Sequence, residues 1–273
     1  MSKFKRITDA VMTAMESPTR WQQTWRSQPG LHRNLDTGHI YRGSNQLMCM
    51  ISQAVHGYES PYWVTAGYCI KNEVSFKGCK STPIIYYGQK EKEEGNPDTL
   101  YKFSKVTNLF HVEQVDIEPP TLPKRDTAVS SDLPAALQVQ VADGSPSYSP
   151  ALDQIKMPIA EYFNTDEAYL STLWHECAHS TGHKKRLDRD LTHGFGSEGY
   201  AKEELIAELA AIFICAEHGI DYDLQGHANY LASWSKAIKD SDSYFLQAAT
   251  AAQKVCDYCM SQLDLMRQQE DAA

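Results

Sequence analysis

The alternation of apolar and polar positions divides this chain into a front half of short strands and turns and a back half led by helices. Ile7 to Met15, interrupted by Thr8 and Asp9, reads as an amphipathic helix. Asn34 to Asn45 carries turn chemistry at Gly38 and Gly43, with Tyr41 and Arg42 between or beside them. Tyr62-Trp63-Val64-Thr65 follows a Ser-Pro turn as a strand, Val74 to Tyr87 reads as strand, lysine-bearing turn and strand, and Phe110 to Gln114 closes the half with another short strand.

Four prolines between Glu118 and Pro134 exclude a continuous helix or central strand there. The expected organisation is therefore a domain over residues 1–118, a Pro-rich linker over 119–134 and a second domain over 135–273. Beyond the linker, Leu137 to Val141 alternates as a strand, Asp143-Gly144 turns, and Tyr148 to Met157 reads as further strand ending at Pro158. A helix begins near Asn164-Thr165-Asp166-Glu167, where a short polar residue precedes Glu by three positions, and ends at Gly182. Tyr169, Leu173, Trp174 and Cys177 give it an apolar side. A second helix runs from about Ser197 to His218 and stops at Gly219. The fold class that follows is α+β: a mixed front domain and a mainly helical back domain with a small sheet.

Composition narrows the class. With 42% hydrophobic and 10% aromatic residues in 273, the chain is expected to be globular, and no segment reaches the roughly 18 apolar residues of a membrane span. The first residues lack the apolar run of a signal peptide, and the seven cysteines, an odd number without regular spacing, suit a reducing compartment. A cytoplasmic protein without a membrane partner is expected. Cys256 and Cys259 form a lone C-x-x-C that reads as helix burial, and Cys177 is expected to face the core. Residues 1–125 carry 16 Lys/Arg against 12 Asp/Glu, whereas residues 126–273 carry 10 against 23. That asymmetry suggests different partners for the two halves, with the basic one suited to a polyanion.

The chemistry is concentrated in His175-Glu176-Cys177-Ala178-His179. Histidines at i, i+4 leave one helix face and reach one metal, while the intervening carboxylate can act on a water as a base. The expected cofactor is one Zn2+ per chain, with His175 and His179 as ligands and Glu176 as catalytic base. His183 follows Gly182 directly, and Lys185 stands where a metzincin would place its third histidine. His183 is thus expected behind the ligands or in a structural role. The third ligand is expected in Glu203-Glu204-Leu205-Ile206-Ala207-Glu208, because zincins of the thermolysin kind use a second helix with acids at i, i+4. Glu204 then binds metal and Glu208 orients a histidine, although the exchanged assignment meets the same spacing. Glu203, about 100° round the helix, is expected to be solvated.

In the front half, aromatic residues interleave with Arg and Lys, the combination on which single-stranded nucleic acid stacks its bases and neutralises its phosphates. The order Y-R-G-x-N, W-x-T, K-G-x-K-x-T-P-I, F-x-V-E-Q, Y-x-P-x-x-D-x-I-x-M-P, L-W-H-E-C-A-H-S-T-G-H-x-x-R-L and F-G-S-E-x-Y-A-x-E-E-L-x-A-E, over residues from about 5 to 260, resembles the ArdC-type antirestriction proteins of conjugative plasmids and phages. The resemblance implies an N-terminal single-stranded DNA-binding domain, a zincin-like metallopeptidase domain, and protection of incoming mobile-element DNA from restriction. Carried onto this chain, the nucleic-acid-facing candidates are Arg42, Asn45, Trp63, Lys77 and Lys80, with Gly43 and Gly78 permitting close backbone approach. A host protein substrate is a further implied partner. The alternatives are a DNA-protecting protein whose zinc is structural, and a zincin-type regulator of transcription. The short charged segment between Tyr87 and Lys105, including Lys90 to Glu94, departs from the family and reads as an exposed loop that affects neither site.

Overall fold

The computed structural model describes residues 31–92, 100–121, 131–194, 196–220 and 244–272. The expected helix at Ile7 to Met15 lies outside them. Chain contacts separate two compact units, dividing between Leu122 and Pro123.

The first unit is built on a four-stranded sheet in the order β1-β2-β4-β3, where β1 is Arg33–Asn34, β2 Tyr62–Thr65, β3 Thr82–Glu91 and β4 Leu100–His111. β1 runs parallel to β2, while β2 and β3 both pair antiparallel with β4. Helix α1, Ser44–His56, presents Leu47, Met48, Ile51 and Ala54 at helical spacing to the core and packs on β3. A shorter helix, α2 (Ala66–Lys71), starts where the Thr65 hydroxyl accepts the Tyr68 N–H. Val64, Phe110, Cys69 and Val112 form the apolar cluster beneath it.

Two readings of this half change. Val74 to Ser81 forms no strand, and the segment between Tyr87 and Lys105 is no simple loop, since β3 and β4 stay in register from Thr82↔Leu109 out to Glu91↔Leu100. β-propensity in Tyr86, Tyr87, Tyr101 and Phe103 outweighs the charge of the flanking lysines. The Phe110 to Gln114 strand ends at His111, whose side chain caps a 3-10 turn over Val112–Gln114.

The second unit combines a three-stranded sheet with helices. β5 (Gln140–Asp143) runs parallel to β7 (Gln154–Met157), and β6 (Ser147–Ser149) pairs antiparallel with β7, giving the order β5-β7-β6. Tyr148 to Met157 is therefore a hairpin instead of one strand. Leu133–Ala136, which straddles the expected end of the linker at Pro134, forms a short helix, α3, because Pro134 suits a first helical turn and Leu133 is fully buried.

Among the described residues, three long helices carry the rest. Helix α4, Asp166–Ser180, is capped by the Thr165 hydroxyl accepting the Ala168 N–H. The expected Asn164–Glu167 pair does not form, because the cap falls one residue later and Glu167 lies in the first turn, where it complements the helix dipole. Helix α5, Glu198–His218, runs between the Ser197 cap and left-handed Gly219 and is buried along almost its whole last three turns, so it is the central helix of the unit. It packs against α4 and against α6, Tyr244–Asp271. Cys256 and Cys259 lie buried on α6, and Cys177 is buried on α4. Among the described residues, no helix is long and apolar enough to cross a membrane.

Candidate metal centre

Helix α4 projects His175 and His179 from one face one turn apart, and α5 brings Glu204 against them. The two Nε2 atoms lie 3.1 Å apart. Glu204 Oε2 is 3.5 Å from His175 Nε2, and its Oε1 is 3.5 Å from His179 Nε2. Zinc bonds of about 2.0–2.1 Å at tetrahedral angles set ligand atoms roughly 3.3 Å apart, so these three donors trace one face of such a polyhedron. Two imidazoles and one carboxylate also match the donor set of a zinc site that keeps a fourth position for water or substrate.

Each imidazole is held from behind by an acid. Glu208, completely buried, places Oε2 3.2 Å from His175 Nδ1. Glu203 places Oε1 3.3 Å from His179 Nδ1. A carboxylate behind Nδ1 keeps the proton there and leaves Nε2 with its lone pair facing the metal position. Glu203, expected in solvent, is instead locked by Arg189, whose Nε and Nη2 donate to its two oxygens at 3.0 and 2.6 Å. Arg189 also donates to Thr181 Oγ1 at 2.6 Å and to the Ala178 carbonyl at 2.8 Å. The loop between α4 and α5 thus folds back over the ligand helix and carries a guanidinium to an acid that helical periodicity assigned to the outside. An arginine ten residues past the motif was the one sequence signal available.

The electrostatics follow from this crowding. Burial opposes the charged form of His175, but the Glu204 and Glu208 carboxylates outweigh it and raise its pKa to about 10. His179 is likewise raised, against burial, by Glu203 and Glu204. Burial works against the Glu204 carboxylate too, yet the two imidazoles hold it well below the ordinary range. For Glu176 burial dominates and pushes the pKa up, partly offset by the neighbouring imidazoles.

Glu176 opens onto a cleft of about 380 Å3 that is also lined by His175, His179 and Glu204 and walled by Tyr148, His193 and Tyr200. The backbone of Tyr148, on β6, favours the charged form of Glu176 and offsets a little of the effect of burial. Tyr148 is fixed in turn, its hydroxyl donating to Asp153 Oδ1 at 2.8 Å while Asp153 pairs with Arg186. His183 joins this group, with Nδ1 3.7 Å from Asp153 Oδ2, and does not line the cleft. Of the two places the sequence left open for it, behind the ligands or in a structural role, Gly182 and the turn after α4 direct it toward Asp153 in the β6–β7 hairpin.

The nucleic-acid candidates do not all reach the surface. Trp63 is fully buried, with its Nε1 donating to His32 Nδ1 at 2.9 Å and its ring edge against His111, so it is a core residue and no stacking platform. Asn45 is also committed, donating to the Ile85 carbonyl and accepting the Ile85 N–H at 2.8 Å each, which ties α1 to β3. Arg42 is exposed beside Gly43, which has φ 54° and precedes α1 as its N-cap. Lys77, Gly78 and Lys80 are exposed on another loop, where Gly78 has φ 84° and Gln114 bonds the Lys80 backbone in both directions.

Comparison with known proteins accords with this architecture. The profile of a zincin-like metallopeptidase family matches residues 131–251, and that of the N-terminal domain of the anti-restriction factor ArdC matches residues 2–113. Crystal structures of the antirestriction protein ArdC from plasmid R388, metal-free and Mn(II)-bound, align with TM-scores of 0.75 and 0.76 at 31% identity, covering 96% of this chain and 98% of theirs. The chain belongs to the ArdC antirestriction family. Two Escherichia coli proteins named DNA primase TraC are 33% and 34% identical over 88% of this chain. The chain spans only 18% and 25% of their lengths, so it resembles one portion of each. The zincin-like domain and the Mn(II)-bound relative point to a divalent metal at this ArdC-type centre.

Proposed function

We propose that the chain is a cytoplasmic antirestriction protein that binds single-stranded DNA through its first unit, carries a zinc-dependent peptidase site in its second, and protects incoming mobile-element DNA. The observation that carries this reading is the convergence of His175, His179 and Glu204 at zinc-ligand spacing beside Glu176 in an open cleft. A purely structural zinc site would be expected to close its coordination with four protein ligands, whereas three ligands opening on a cleft suit catalysis.

When bound, a zinc ion there supplies Lewis acidity, polarising a peptide carbonyl and making an attacking water more acidic. Glu176 accepts the proton from that water and delivers it to the departing amine. Burial raises its pKa, which suits a group that must take up a proton and give it away again. Glu208 and Glu203 keep the histidine rings oriented, so no reorganisation is needed at the ligands. His193 borders the same cleft and offers a donor toward a developing oxyanion, and the Tyr200 hydroxyl, given to Glu204 here, becomes one when it turns from that carboxylate.

The test is transformation of unmodified single- and double-stranded DNA into a restricting host expressing wild type or Glu176→Gln at equal levels. Loss of protection in the variant makes proteolysis of a host protein the function. Full protection would overturn the catalytic part and leave DNA binding by the first unit as sufficient. Recognition of a defined duplex sequence would instead favour the regulator.

A further inference from the structure

The β3–β4 hairpin is far longer than the sheet that holds it. β2 pairs with β4 only at Leu109 to His111, so from Tyr86 to Glu91 and from Leu100 to Lys105 the two strands bond only to each other within the sheet. Burial stops at the same point: Ile84 and Ile85 are 5% and 2% exposed, whereas Tyr86, Tyr87 and Tyr101 are 48%, 68% and 40% exposed. A two-stranded arm needs cross-strand pairs to persist in water, but pairing alone does not require several large rings turned to solvent.

The register arranges these rings. Tyr86 pairs with Lys105, Gly88 with Phe103, and Lys90 with Tyr101, so these six residues share one face of the arm. The rings form a row, with centroids 6.1 Å apart for Tyr86–Phe103 and 6.2 Å for Phe103–Tyr101. Gly88 makes the row possible, since a Cβ there would lie 2.7 Å from Phe103 Cζ and 2.9 Å from Tyr86 Cε1. Lys105 Nζ stands 5.3 Å from the Tyr86 ring centroid, and Lys90 lies at the other end of the row. The paired strands hold three lysines against one glutamate, in a chain whose net charge is −9.

We propose that this arm is the stacking platform for single-stranded DNA, with Tyr86, Phe103 and Tyr101 receiving successive bases and Lys90 and Lys105 meeting the flanking phosphates. Resting on the single-stranded DNA reading above, it moves the contact surface from the loops at Arg42 and Lys77 to the hairpin. A row of rings with Tyr86 and Tyr101 exposed and Phe103 half-buried between them asks for unstacked bases, which a duplex keeps inside its own stack, and the interleaved cations ask for a polyanion. Neither demand is met by an apolar protein patch.

The test is fluorescence anisotropy of a labelled oligo-dT with the full chain. Tyr86→Ala, Phe103→Ala and Tyr101→Ala should each weaken binding by about tenfold or more, within the range base stacking provides. Ile70→Ala, at an exposed apolar position on α2, should leave it unchanged. Lys105→Gln should reduce the slope of log affinity against log salt by about 0.7. Because alanine variants can loosen the arm, Tyr86→Trp supplies a second measurement: its indole emission should be quenched as oligo-dT binds. Wild-type affinity in folded alanine variants, or no quenching in Tyr86→Trp while oligo-dT binds, would overturn the platform and leave the DNA-binding reading standing. A wild-type chain that fails to bind oligo-dT would remove both, and a duplex of equal length bound as tightly, with equal losses in the variants, would refute stacking.

Discussion

Replacing Glu203 by glutamine tests the part of the centre that helical spacing misplaces. Glu203 is about nine-tenths buried, accepts two hydrogen bonds from Arg189 and backs His179 Nδ1 at 3.3 Å. The amide keeps the size and one acceptor but loses the charge, so His179 loses the partner that holds its Nδ1 proton. Partners in this position are worth about 10–100-fold in metal affinity. The Arg189 guanidinium, only 13% exposed, is left without its counter-charge, and breaking such a buried pair costs about 3–5 kcal/mol. Zinc affinity would be measured by competition with a chromophoric chelator, and stability by urea denaturation of the metal-free chain. The two effects separate in Arg189→Met/Glu203→Gln, which should recover part of the stability while zinc affinity stays low. Wild-type zinc affinity in Glu203→Gln would refute the orienting role. Unchanged stability would refute the buried pair.

Three further outcomes are expected. Glu204→Ala should abolish stoichiometric zinc binding, whereas Glu208→Ala should only weaken it by about 10–100-fold; retention by the first and loss by the second, in equilibrium dialysis, would exchange their roles. Trp63→Ala should destabilise the first unit by about 3–5 kcal/mol, because it empties a fully buried site and leaves His32 Nδ1 without its donor; a small change in urea midpoint would return Trp63 to the surface. His32 has a pKa lowered to about 3, chiefly by burial and then by His111, so the folded state resists a proton that the unfolded chain takes up near 6.5. Its contribution to stability is therefore complete above about pH 6.5 and is lost as pH falls toward 3, with a slope of up to about 1.4 kcal/mol per pH unit. Denaturation midpoints should fall between pH 6.5 and 4.5, and His32→Gln should flatten that fall.

The features legible in the sequence are those set within one helix or one turn. His175 and His179 share a face because 3.6 residues make a turn, and Ser197 and Gly219 bound α5 because each end supplies its own hydrogen-bond partner. The Cys256–Cys259 pair reads correctly as a buried stripe for the same reason. Each of these depends on neighbours a few positions away.

Where a side chain goes across longer separations was decided by packing. Trp63 and the exposed rings of the hairpin are equally aromatic in composition, and only the sheet order β1-β2-β4-β3 puts Trp63 inside and Tyr86 outside. Asn45 reads as a turn residue until Ile85, 40 positions later, is brought to its amide. Glu203 lies on α5 at a period that fits a wet face, yet ends behind the His179 imidazole, because a 17-residue connection returns Arg189 to α4. The sequence by itself determined the two histidines, the carboxylate between them and the helices that carry them. Only the tertiary structure decided that Glu203 lies behind His179 and which aromatics meet solvent, because a buried charge is placed by the partner that neutralises it and that partner comes from elsewhere in the chain.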